Sequence, residues 1–288
     1  MTMQLHDIAL KGILTQNARR PLRDQARPGI LVPVNSSSSA FNALAYTLNV
    51  ARALQSSIHI FHISDARELP DSGNPLVIGR MLDRMETKAA NCVASLKEMI
   101  EESGVQVGRA ESMVGNIERL LTNKVAELMP ELIVLGKGSL PDSVIKIIVR
   151  RSGIPIVIVP DSAPTTLPES MMLSALGSPF CQSNMNIINK FVHCFSPSVT
   201  TVSYPHDPAR KDAHTSIKHH LNRGLRGRIE EMQVAKTVNR QELADFIRVH
   251  KFDLVCIARN QRPFWKRLFT TDGLRELPFQ LDVPTMVL

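Results

Sequence analysis

From Glu131 to Pro160 the chain reads ELIVLGKGSLPDSVIKIIVRRSGIPIVIVP: a strand, a short glycine-containing turn, a helix and another strand. The turn Gly136-Lys137-Gly138-Ser139 carries the chemistry. Glycines let backbone N–H groups come close to a ligand. A helix opening just after them offers unpaired donors and the positive end of its dipole, so such turns often cradle a phosphate.

Other reactive side chains point elsewhere. His206, His214, His219 and His220 crowd one polar segment, without cysteines or carboxylates at zinc-ligand spacing, and read as a surface cluster. His59 and His62 lie three apart in a predicted strand, hence on opposite faces, and read as core-edge histidines. Cys194 follows His193 on a predicted helix, where adjacent side chains point apart. Ser36 to Ser39 offer helix N-caps. No GxSxG, HExxH or full Walker pattern occurs. The sequence therefore predicts no catalytic residue, no metal site and no enzyme.

The elements that would position the turn alternate regularly. Strands are predicted at 29–34, 58–63, 105–113, 132–135 and 155–159, with helices between them, the longest from about Leu76 to Glu102. The stretch PDSAPTTLP, residues 160–168, reads as a linker by composition. The pattern then repeats, with strands at 171–176, 199–204, 229–234, 254–257 and 284–288 and helices at 183–195 and 240–250. Apolar strands alternating with helices give an α/β fold, a parallel sheet covered on both faces. Glu131 to Lys137 overlays Asp253 to Arg259, and Gly153 to Val157 overlays Asp282 to Met286. Two homologous domains in tandem follow: a basic arm at 1–28, a first domain at 29–160, a linker at 161–168 and a second, degenerate domain at 169–288.

At 288 residues with 43% hydrophobic and 21% charged residues, the composition is globular. The net charge of +7 permits only weak attraction to anionic surfaces. Four scattered cysteines, no secretory leader and strand-sized apolar runs point to a reduced, cytoplasmic protein outside the membrane.

The stretches ILVPVNSS, SIHIFHIS, MVGNIERLL, ELIVLG and SVIKIIVRRSGIPIVIV, then ALGSPFCQSN, KFDLVCIA and DVPTMVL, resemble the universal stress protein family in its tandem two-domain form. The resemblance covers nearly the whole chain apart from arm and linker. It implies an adenine nucleotide alpha hydrolase-like fold, each domain a five-stranded parallel sheet with helices on both faces. It also implies that the two domains pair through their last strands.

Members of that family that bind ATP carry a glycine, two residues, a second glycine, nine residues, then a third glycine with Ser or Thr. An Asp ends their first strand. Here Gly136 and Ser143 match, Ser139 replaces the second glycine and Asp142 the third. Asp142 could cap the helix and would repel a triphosphate. Asn35 stands at the strand-end acid position. Gly136 and Pro155 are 19 positions apart, whereas Ala258 and Pro284 are 26 apart, so the first domain has lost seven residues of loop. Asn35, Leu135, Gly136 and Ser143 are the candidates for a remnant nucleotide pocket. In the second domain Ala258, Gln261, Thr271-Asp272 and Leu176 replace the matching positions. Arg259, Arg262, Lys266 and Arg267 surround Phe264 and the lone Trp265, a solvated basic loop whose functional alternative is anion or partner docking.

The expectation is a non-enzymatic stress-response protein that binds a protein partner or small ligand, with the phosphate loop degenerate in both domains. No cofactor is expected, ATP being disfavoured. One alternative is an adenine-nucleotide binder or weak ATPase, the other a nucleic-acid-associated protein using arm and loop. The domains are expected to form an internal pseudo-dimer, which leaves a homodimer open.

Overall fold

The computed structural model describes residues 29–69, 74–174, 182–203, 229–233, 240–258 and 278–288. The basic arm, the four-histidine segment, Cys181, Leu176 and the loop from Arg259 to Asp272 lie outside these residues.

The first half runs β1 (Ile30–Val34), α1 (Ser38–Leu54), β2 (Ile58–Asp65), a 3-10 turn (Ala66–Glu68), α2 (Pro75–Glu102) and β3 (Val107–Gly115). It continues through α3 (Ile117–Leu128), β4 (Leu132–Gly136), α4 (Asp142–Arg151) and β5 (Ile156–Val159). The second half supplies β6 (Ser170–Ser174), α5 (Gln182–Phe195), β7 (Ser198–Ser203), β8 (Ile229–Gln233), α6 (Arg240–Val249), β9 (Leu254–Ile257) and β10 (Thr285–Val287). Local sequence sets the helix starts. Ser37 caps α1 by accepting from Ala40 N, and Asn116 caps α3 by accepting from Arg119 N.

The ten strands among the described residues form one sheet in the order β3-β2-β1-β4-β5-β10-β9-β6-β7-β8. Every neighbouring pair is parallel except β5 and β10. There Val157 faces Met286, Ile158 faces Thr285 and Ile156 faces Val287. In the sequence overlay Val157 and Met286 are equivalent, so the pseudo-twofold axis passes between these two residues. The expected fold, two five-stranded parallel units joined antiparallel through their last strands, is the one observed.

One face of the sheet is covered by α1, α2 and α5, whose apolar residues merge with both halves into one core containing Tyr46, Ile188, Phe191, Cys256 and Met286. On the other face the core divides: α3 and α4 cover the first half, and α6 covers the second. The predicted linker is tied down along α1. Asn42 Nδ2 donates to Pro160 O at 2.8 Å, and Asn49 Nδ2 to Thr165 O at 2.7 Å. Seven residues apart, the two asparagines share one helix face.

Candidate functional site

In β3-β2-β1-β4-β5 the order of connection reverses between β1 and β4, so their C-terminal ends frame the crevice where open α/β sheets bind ligands. Asn35 leaves β1 there, Leu135 and Gly136 end β4, and the turn to α4 follows. In this protein side chains and backbone of the chain itself bond across the crevice.

Asn35 Nδ2 donates to Ser139 O at 2.6 Å, joining positions 104 residues apart. Asn35 Oδ1 accepts from Ser37 N at 3.0 Å and from the Ser37 hydroxyl. Ser37 Oγ in turn accepts from Ala40 N at 3.2 Å. The amide of Asn35 is thus engaged at both ends. Ser139 is 3% exposed, and both its N–H (3.0 Å) and its hydroxyl (2.8 Å) donate to Gly136 O. Lys137 N donates to Val159 O at 2.7 Å. Gly138, with φ of +87°, makes the left-handed corner that a side chain would strain. Gly136 is held still more tightly: a Cβ there would lie 2.1 Å from Ser39 O. The missing side chain at Gly136 lets the first turn of α1 approach.

The structure brings Asn35 and the Gly136 turn together through Ser139. The other two candidates sit apart from that contact. Leu135 is fully buried, with its side chain in the core under α3 and α4. Ser143 is exposed in the first turn of α4. Asp142, expected as a possible cap, is the first helical residue and makes no capping bond; Pro141 holds the cap position. Its fixed φ presets the helix start without a side-chain acceptor. Of the second-half candidates, Arg259, Arg262, Trp265, Lys266 and Arg267 lie outside the described residues.

Sequence reasoning missed two features. It saw Ser139 only as a lost glycine, although a small polar residue at a closing turn is the signal for a local hydrogen bond. It also missed that Lys137 crosses to the second half, where its Nζ donates to Leu281 O at 3.2 Å and lies 3.6 Å from Asp282 Oδ1. An open cleft of about 440 Å³ lies elsewhere, lined by Asn116, Glu118, Arg119, Thr122, Asn123 and Arg151.

Electrostatics around the crevice are modest. Arg67 donates to Asp65 at the end of β2 and holds that carboxyl below its ordinary value, against some desolvation. Burial raises the thiols of Cys256 and Cys92 and the Tyr46 phenol, which favours their neutral forms. His59 and His62 are both buried, at 2% and 6% exposure. No group of three His, Cys, Asp or Glu residues that could hold a metal occurs among the described residues. No helix among them is long and apolar enough to cross a membrane.

Comparison with known proteins agrees with this architecture. The family model described as universal stress protein family matches residues 28–160. The structure of a universal stress protein from Archaeoglobus fulgidus is similar over 92% of this chain and 98% of that one, with a TM-score of 0.71 and 14% identity. That of a functionally unknown protein from Pseudomonas aeruginosa is similar over 92% and 93%, with a TM-score of 0.59 and 12% identity. At such identities the likeness is one of fold. No curated protein sequence matches.

Proposed function

Residues 28–160 match the model of the universal stress protein family, and from that premise we propose that the chain is a non-enzymatic stress-response member of it that has given up nucleotide binding. In this reading it acts by binding a protein partner or a small ligand, in the cytoplasm, with its domains at 29–160 and 169–288 forming an internal pseudo-dimer. One observation carries the reading: the Asn35 amide, which would face a ribose or base, is spent on Ser139 O and Ser37. Opening the crevice would break those bonds and separate the Gly136 turn from α1, and Asp142 would still face the triphosphate. The basic loop with Arg259, Arg262, Trp265, Lys266 and Arg267 is the docking element we assign to the second domain.

Native mass spectrometry of the purified full chain tests this. The expected spectrum holds no adenine nucleotide, and added ATP, ADP or AMP produces no bound species. A co-purified nucleotide would favour the binding alternative. Retention of nucleic acid that salt strips away steeply would favour the nucleic-acid alternative.

A further inference from the structure

Strand β2 carries one histidine into each face of the sheet. His59 shares its face with Phe61 and Ile63, which belong to the core under α3 and α4; His62 shares its face with Ile58 and Ile60, in the core under α1 and α2. The His59 ring is set between two glycines. A Cβ on Gly29 would lie 2.6 Å from its Nε2, and one on Gly108 would lie 2.4 Å from its Cε1. Neither position could hold a side chain without expelling the ring. Nδ1 of His59 and both ring nitrogens of His62 are buried without a well-formed hydrogen bond. A neutral imidazole tolerates such a site far better than an imidazolium.

The charges around the two rings sharpen this. His59 faces Arg109 of β3, which is ion-paired to Glu111 of β3 and Glu127 of α3; Lys124 of α3 joins the same cluster. His62 feels Lys88 of α2 and, with the opposite sign, Glu68 of the 3-10 turn, and its strand partners Val34 and Ser112 are uncharged. Burial is the main force holding both rings neutral. Arg109 adds to it at His59. Lys88 adds to it at His62, against a weaker pull from Glu68 and the residue's own backbone. A proton on either ring therefore sets a cation beside a cation, on β3 in one case and on α2 in the other. Those two elements form the outer edge of the first half: β3 ends the sheet, and α2 packs on β2 and β3.

We propose that His59 and His62 form a proton-operated latch on β2, which holds the α2–β3 edge closed at neutral pH and releases it in mild acid. Release would bare the edge of β2 and the stripe Ala89, Val93, Leu96 and Ile100, now buried on α2. The sign follows from linkage. A released imidazole takes up its proton as pH falls through about 6.5, while the buried ring resists, so falling pH favours the open form. At pH 5.5, one unit below that value, each histidine favours opening by up to about tenfold.

Hydrogen exchange of the full chain at pH 7.5 and 5.5, corrected for intrinsic chemistry, tests the latch. Peptides covering 88–102 and 107–115 should open about tenfold or more faster at pH 5.5, while peptides covering 254–257 and 285–287 stay unchanged. His62→Leu should remove the acid effect on α2, and His59→Gln should weaken it on β3. Should either variant fail to fold, titration of the wild-type imidazole proton resonances decides. Midpoints below 6.5 for both rings support the latch. Midpoints at or above 6.5, no acid effect, or uniform opening of both halves would overturn it.

Discussion

At the end of β4 stands Gly136, and at the matching position just past β9 stands Ala258. The glycine lies so close to α1 that a methyl group would sit 2.1 Å from Ser39 O, whereas the alanine carries its methyl and packs half-buried against the core. The following segment is also seven residues shorter in the first half, with 19 positions from Gly136 to Pro155 against 26 from Ala258 to Pro284. The same strand end is thus built by two routes. One brings backbone onto backbone; the other carries a side chain at that position. The first route leaves hydrogen bonds that can be counted and broken.

The largest expected effect comes from reversing the glycine contrast. Gly136→Ala should cost about 3 kcal/mol in urea unfolding, because its methyl meets backbone that cannot step aside. Ala258→Gly should cost about 1 kcal/mol or less. Equal costs would erase the contrast between the halves. Next is Asn35→Ala, which leaves Ser139 O and Ser37 N without their partner and should cost about 2 kcal/mol by the same assay. Ser37→Ala removes the cap of α1 and should cost about 1 kcal/mol. The smallest effect belongs to Lys137→Ala, at about 0.5 kcal/mol, since its ion-pair partner Asp282 is mostly exposed. That variant sharpens the comparison through cooperativity. Calorimetric unfolding should remain a single transition, because the β5–β10 pair and the α1/α5 face still join the halves.

How much of this was legible in the sequence depends on distance along the chain. Strands such as Leu132–Gly136 and Leu254–Ile257 announce themselves by local apolar runs, and the β5–β10 pairing follows from the overlay of Val157 on Met286 together with the family resemblance. β3 starts two residues later than the apolar pattern predicts. Val105 is apolar because it packs into the core, and the strand itself begins at Val107. The shortened loop was legible as a count of residues. The long-range bonds were not: the Asn35–Ser139 bond spans 104 residues, and the ties from Asn42 and Asn49 to the linker span more than a hundred. An asparagine in sequence shows two donors and an acceptor but not which distant carbonyl they meet. The buried pair His59 and His62 was legible in facing and in kind. The glycine cradle that encloses His59 was not, since Gly29 reaches it from just before β1 and Gly108 from β3.

Isothermal titration of the full chain with ATP and Mg²⁺ bears most directly on the closed crevice, run beside Asn35→Ala as the variant whose closing bond is gone. The account predicts no heat of binding for the wild-type protein up to millimolar nucleotide. Micromolar binding by the wild type, lost in Asn35→Ala, would contradict it, because the amide now bonded to Ser139 would then be holding nucleotide.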